Sequence, residues 1–182
     1  MPVYAYGILL LGWLVWVMPF VLARRAKHEA TVVDRRARWG ILLVVIAYSL
    51  LWQNRFWERS LSAWRTTLAV FFFVLACTLS WSGARALGRQ WRLDAGLNAD
   101  HELVTSGPYR LLRHPIYTSM LCVLCGTGWL LTLLPMLLAA VIVFMVGTEI
   151  RVRIEDRLLG ERFGEPFGQY QRRVAAYVPF LR

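Results

Sequence analysis

The sequence predicts an all-α integral membrane protein of about five transmembrane helices, with the water-facing chemistry gathered in its C-terminal half. Three observations predict it. Hydrophobic residues make up 58% of the 182-residue chain, against roughly 45–50% in a soluble domain. The apolar residues fall in long runs without charge. The basic residues, finally, crowd into alternate connecting segments.

Met1 to Ala23 carries no charged side chain, about the length that crosses a hydrocarbon core of roughly 30 Å. The positive charges Arg24, Arg25 and Lys27 follow it instead of preceding it. It therefore reads as an anchor with its N-terminus outside, not as a cleaved signal peptide. Trp39 to Asn54 is a second, shorter run, flanked by Trp39 and Trp52, rings that favour the membrane interface. Thr66 to Ala84 is the third. Pro115 to Thr148 is uncharged over 34 residues; as one helix it would measure about 51 Å, too long for a bilayer. The break is expected at Leu131 to Pro135, because proline cannot continue helical hydrogen bonding. Spans four and five then form a tight hairpin, with a shallow re-entrant hairpin as the alternative.

The segments Arg24–Arg38, Arg85–Arg113 and Arg151–Arg182 hold 18 of the 21 Lys and Arg, and Arg55–Arg65 holds three. Five spans put the first three segments on one side, which the positive-inside rule makes the cytoplasm. The same rule accounts for the net charge of +10. In a soluble chain that charge would point to nucleic acid, but no nucleic-acid motif accompanies it. The whole chain reads as one membrane domain: residues 1–84 as three N-terminal spans, 85–182 as the half that carries the chemistry. Cys122 and Cys125 form a C-x-x-C inside an apolar run. Without a second ligand pair or a strand–helix redox context they read as small packing residues, and no metal site is expected.

Two cytoplasmic segments carry reactive groups. In the first, Gly96, Asn98 and Asp100 are turn formers, as is Ser106-Gly107-Pro108, and Arg113-His114-Pro115 stands at the mouth of the fourth span. A residue before proline is biased away from helix, so His114 is expected just outside the span. In the second, span five continues as helix past Glu149. Glu149 with Arg153, and Arg151 with Glu155, are then i,i+4 neighbours. Taken alone these are surface ion pairs; beside a cavity at the bilayer surface they are functional candidates. Phe163-Gly164 and Gly168 are expected to break this helix, and Val174 to Leu181 to fold back as a lid.

These segments resemble the isoprenylcysteine carboxyl methyltransferase family, to which phospholipid N-methyltransferases are related. The first block reads His101, Leu103-Val104-Thr105-Ser106-Gly107-Pro108-Tyr109 and Arg113-His114-Pro115-Ile116-Tyr117. The second reads Arg151, Glu155, Asp156, Leu159 and Phe163-Gly164, and Val178-Pro179-Phe180-Leu181 matches the family's tail. The chain departs from the pattern at Asp156, often Glu, and at Phe167, commonly Tyr. The resemblance covers residues 85–182.

It implies S-adenosylmethionine in a cytoplasmic pocket formed by the C-terminal half, and a lipophilic substrate entering from the bilayer. It implies cofactor contacts at His101, Glu102, Leu103, Val104, Tyr109, His114, Pro115, Ile116, Tyr117 and Glu155. A further contact near Asp94 is less well matched in loop length. Arg151 is implied at the substrate's reacting end and, with Glu155, as catalytic. A carboxylate acceptor needs no general base, whereas an amine would need one, with Asp156 or His114 as candidates. A nicotinamide-dependent membrane reductase and a non-catalytic scaffold are the competing classes; no Gly-rich dinucleotide fingerprint is present. Partners are membrane lipids and the substrate itself. Oligomeric state stays open, with Gly126 and Gly128 available for helix packing within or between chains.

Overall fold

The computed structural model describes residues 1–23, 32–52, 60–90, 96–97 and 102–177. His101, Asp94 and the Val178–Leu181 ending lie outside them. Six α-helices follow in order: α1 Val3–Leu22, α2 Ala37–Leu50, α3 Ala63–Leu87, α4 Pro115–Leu131, α5 Leu134–Phe163 and α6 Glu165–Arg173. A two-residue antiparallel pairing, β1 Val32–Val33 with β2 Gly96–Leu97, departs from an all-α chain. It turns the loop expected at Gly96 into a short ribbon.

Helices α1, α3 and α5 are long and apolar enough to cross a membrane, whereas α2 and α4 are apolar but shorter. The outward faces of α1, α2 and α3 are apolar, with Leu10, Leu14, Val21, Val45, Phe71 and Val74 exposed, as expected where lipid is the solvent. This is a membrane protein.

The break between α4 and α5 falls where proline and chain length require it. Thr132 leaves the helix in extended conformation, and Pro135 sits in the first turn of α5, where its missing N–H has no helical partner to lose. The carbonyls exposed at the end of α4 are met by a neighbour. Arg65 of α3 donates from Nε to the Trp129 carbonyl at 3.0 Å and from Nη2 to that of Thr132 at 2.5 Å. Its guanidinium also lies 5.6 Å from the Trp129 ring. Hydrogen bonds from charged donors contribute about 1.5–3 kcal/mol. Arg65→Ala is therefore expected to lower stability by about that amount, read as a drop in the thermal midpoint in detergent. An unchanged midpoint would remove this capping role.

A second proline is handled similarly. Pro19 lies inside α1 and cannot donate to the carbonyl of Val15. That carbonyl accepts instead from the Trp81 indole of α3 at 3.0 Å. Trp13 and Trp16 of α1 donate to Thr127 and Ser119 of α4 at 3.1 and 3.0 Å. The indoles thus tie α1 to both members of the central α3–α4 pair.

These contacts set helix directions. Residues 12–15 of α1 run alongside 73–81 of α3, so the two are parallel. Helix α4 is antiparallel to both, because Arg65 meets its end and Gly83 meets its start at Pro115 and Ile116. Gly40 at the start of α2 meets Gly147 and Arg151 far along α5. The five apolar helices therefore alternate in direction, and one end of the bundle collects the ends of α1, α3 and α5 and the starts of α2 and α4.

Gly126 and Gly128 pack within the chain, against Phe73 and Leu137 respectively. Cys122 is buried in the cluster that contains Ala69, Phe73 and Val123. Helix α5 stops at Gly164, whose φ of 57° favours glycine. Gly168, by contrast, does not break the chain; it lies inside α6, because the positive-φ turn four residues earlier already supplies the change of direction.

Candidate functional site

At the end where α4 begins, α5 runs on beyond its apolar part as a charged extension. His114 stands before Pro115 with φ −127° and ψ 61°, outside the helix, as the following proline dictates. A residue so placed leaves backbone N–H groups without helical acceptors. The C-terminal segment supplies them: Arg113 N–H donates to the Ala175 carbonyl and His114 N–H to that of Ala176, each at 2.8 Å. Thr118 Oγ1 adds a bond to the Tyr177 carbonyl at 2.5 Å. Residues 174–177, the described part of the segment expected to act as a lid, are thus a strap laid along the mouth of α4, with a parallel bridge between Leu112 and Ala175.

The side chains form one chain of contacts across α4 and α5. Arg151 Nε donates to the Tyr117 hydroxyl at 2.6 Å, and that hydroxyl donates to Glu155 Oε1 at 2.5 Å. Arg151 Nη2 reaches the same oxygen at 3.3 Å. Glu155 Oε2 lies 3.4 Å from His114 Nδ1, and the other ring nitrogen, Nε2, lies 2.8 Å from Asp156 Oδ1. Arg113 Nη2 pairs with Asp156 Oδ2 at 2.9 Å. The i,i+4 geometry of α5 produces both expected pairs, Arg151–Glu155 here and Glu149–Arg153 at 2.7 Å on the exposed face.

The network is buried, but unevenly. Arg151, Arg113 and His114 side chains are each less than 10% exposed, whereas Glu155 is 23% exposed. Glu155 is therefore the least buried side chain of the four that join Arg151 to His114 and Asp156. Burial acts to lower the His114 pKa, but hydrogen bonds to Asp156 and Glu155 outweigh it and raise the value to about 9. At neutral pH the ring is an imidazolium, able to donate from both nitrogens.

The structure brings together four of the residues singled out by sequence: His114, Tyr117, Arg151 and Glu155. It places others elsewhere. Pro115 is fully buried, and it and Ile116 face Gly83 of α3. Tyr109 is buried in the short 3-10 turn Gly107–Arg110, its carbonyl accepting from the Tyr170 hydroxyl of α6 at 2.6 Å. Glu102 is exposed, and Leu103 and Val104 are half-buried, in the irregular segment leading to that turn.

Several members of the network escaped the sequence reading. Gln171 of α6 donates to Asp156 Oδ2 at 3.2 Å. Tyr177 donates to Glu149 Oε2 at 2.7 Å and packs with Tyr117 and Val152. Arg113 was visible beside His114, but nothing local marks Gln171 or Tyr177, whose hydrogen-bond partners lie 15 to 59 residues away.

Residues 64–166 match the phospholipid methyltransferase family (PEMT). The chain belongs to this family. The match takes in α3 as well as α4 and α5, so it starts about one helix earlier than the resemblance drawn from the motifs. Among similar curated proteins, the cobalt-zinc-cadmium resistance protein CzcN of Cupriavidus metallidurans is 31% identical over 158 residues, 86% of this chain and 69% of the relative. Protein-S-isoprenylcysteine O-methyltransferase B of Arabidopsis thaliana is 35% identical over 82 residues, 44% of this chain and 41% of the relative. Methanethiol S-methyltransferase of Pseudomonas deceptionensis is 29% identical over 155 residues, 79% of this chain and 57% of the relative. The chain therefore spans about two-thirds of the first relative's length and less of the two named as methyltransferases.

Proposed function

We propose that this chain is an S-adenosylmethionine-dependent methyltransferase that acts on a lipophilic, membrane-embedded acceptor, with a carboxylate as the acceptor group. The observation that carries this reading is the buried chain Arg151–Tyr117–Glu155–His114, set at one end of an apolar helix bundle in a member of a methyltransferase family. The residues suit the cofactor. It brings an ammonium, a carboxylate and a cationic sulfur, and Glu155, the less buried of the two network carboxylates, suits the ammonium. Tyr109 and Tyr117 would bound the adenosine, with further cofactor contacts from Glu102, Leu103 and Val104.

Bound S-adenosylmethionine supplies a methyl group on a cationic sulfur, which leaves as a neutral thioether when the acceptor takes the methyl. The protein's task is alignment, an effect that can supply several kcal/mol. Arg151, whose Nε and Nη2 serve Tyr117 and Glu155, attracts the acceptor carboxylate by its charge, and the apolar bundle keeps water from a reaction in which opposite charges cancel. No side chain has to remove a proton from a carboxylate acceptor.

The alternating helix directions support five spans with the N-terminus outside. The basic segments that carry 18 of 21 Lys and Arg then lie at the site's end, in the cytoplasm. A thiol or a lipid amine is the second class of acceptor, the thiol favoured by the similarity to methanethiol S-methyltransferase.

The test is a labelled-methyl transfer assay in nanodiscs with N-acetyl-S-farnesylcysteine, a long-chain alkanethiol and phosphatidylethanolamine as acceptors. Label in the farnesylcysteine product, released by base as methanol, is the expected result. Calorimetry should show S-adenosylhomocysteine binding to the wild type, weakened about tenfold or more in Glu155→Gln, which is ~1.4 kcal/mol or more. Absence of both binding and transfer would overturn the function; transfer to the thiol or amine alone would overturn the carboxylate.

A further inference from the structure

Asp156 has no role in the mechanism above, yet its carboxylate meets three side chains, as many as Glu155 does. Its Oδ1 meets His114 Nε2 at 2.8 Å. Its Oδ2 accepts from Arg113 Nη2 at 2.9 Å and from Gln171 Nε2 at 3.2 Å. Those three donors come from the turn before α4 and from α6, so the side chain joins three segments of the fold. We propose that Asp156 is a positioning residue, which turns the His114 imidazole so that its Nδ1 edge faces the Glu155 carboxylate and fixes α6 to the same edge.

The geometry leaves few alternatives for the ring. Successive residues on a helix point about 100° apart, so Glu155 and Asp156 approach the ring from different sides. His114 spans the two, one nitrogen to each. Its backbone is fixed independently, by the bond to Ala176, so the remaining freedom is rotation about the side chain. A flipped ring would remove the 2.8 Å contact, the shorter of the two. Arg113, which pairs with Asp156, is itself aimed by bonds to the carbonyls of Gln171 and Val174 at 3.1 and 2.5 Å.

The same contacts bear on chemistry. A carboxylate that accepts from an arginine, a histidine and an amide at once is poorly placed to take a proton from an amine acceptor. Asp156 is therefore not the general base that an amine would require.

The groups that face His114 decide its protonation. From α5 these are Glu155 and Asp156, with Arg151 behind Glu155. From α4 and the turn before it they are Tyr117, whose ring centre is 5.8 Å away, and Arg113. From α6, neutral Gln171 bonds to Asp156 and Tyr170 to the Tyr109 carbonyl, so neither adds a charge at the ring. The two carboxylates are the nearest, and they favour the imidazolium.

The consequence for cofactor binding rests on the reading of Glu155 above, but the placement of the ring does not. The experiment separates them. Full-length protein with ¹⁵N-histidine in nanodiscs carries three histidines, and His28→Gln with His101→Gln leaves His114 as the sole signal. Both ring nitrogens should be protonated at about pH 7.5. Asp156→Asn should lower the titration midpoint by about one unit or more. Asp156→Glu should restore part of it. In the protein with all three histidines, binding of S-adenosylhomocysteine should become pH-dependent between about pH 6 and 8 in Asp156→Asn only. A neutral His114 in the wild-type spectrum, or an unshifted midpoint in Asp156→Asn, overturns the proposal; the first readout decides even if the variant does not fold. Failure of the wild type to bind S-adenosylhomocysteine, with the histidine behaving as stated, would overturn the proposed function and leave the positioning role standing.

Discussion

Gly40→Ala should destabilise the protein and silence its site together, although the substitution adds one methyl group far along the sequence from any motif. A Cβ built at Gly40 lies 2.6 Å from the backbone carbonyl oxygen of Gly147 and 2.6 Å from Cγ of Arg151. The carbonyl belongs to the ladder of α5 and cannot move alone. The facing position is equally closed: a Cβ at Gly147 would sit 2.8 Å from the Gly40 carbonyl. Helices α2 and α5 touch through backbone here, as small residues allow inside membranes. Alanine must push the helices apart or bend the Arg151 stem out of its place. Overpacking of this kind costs about 1–3 kcal/mol. The loss should appear as a lower thermal midpoint in detergent and as weaker S-adenosylhomocysteine binding. Gly7→Ala is the control, since a Cβ at Gly7 meets nothing within 4 Å; it should be neutral or slightly stabilising, alanine being the better helix former. Equal effects of the two substitutions would show that the close approach of α2 and α5 is unimportant.

That contact also marks where sequence reading stops. The break near Pro135, the position of His114 ahead of the helix and the two i,i+4 ion pairs of α5 were all legible, because each follows from chemistry within five residues. Pro115 and Pro135 act on their immediate neighbours, and helical spacing puts Arg151 beside Glu155 without any tertiary information. The strap was not legible in form. Its bonds to Arg113, His114 and Thr118 span about 60 residues, and no periodicity encodes them. Gly168 shows the opposite failure: a glycine is a helix breaker only where the backbone needs a positive φ, and Gly164 had already met that need. Gly40 and Gly147 carried no local signal at all. Each is an ordinary glycine in an apolar run until the other helix is placed against it.

Arg151→Ala should have the other large effect, and the reason is electrostatic rather than steric. The guanidinium is buried, 6% exposed, yet its Nε and Nη2 meet Tyr117 and Glu155. Its charge also lies 5.7 Å from the Tyr117 ring. Removing it leaves the Glu155 carboxylate beside an emptied volume, and breaking a buried pair by deleting one partner costs about 3–5 kcal/mol. Arg151→Lys keeps the charge but loses the planar fork, so Tyr117 and Glu155 cannot both be served; stability should recover more than methyl transfer does. A double-mutant cycle isolates the pair. Arg151→Met with Glu155→Gln removes both charges at once, and the double variant should be more stable than the sum of the single losses predicts, by about 0.5–3 kcal/mol. A coupling near zero would mean that Glu155 is held by His114 and Tyr117 alone. In that case Arg151 would be free to serve only the acceptor, and the loss of turnover in Arg151→Ala would appear in full without any loss of S-adenosylhomocysteine binding. Stability and binding measured on the same three variants therefore decide whether one arginine organises both halves of the site or only the acceptor's half.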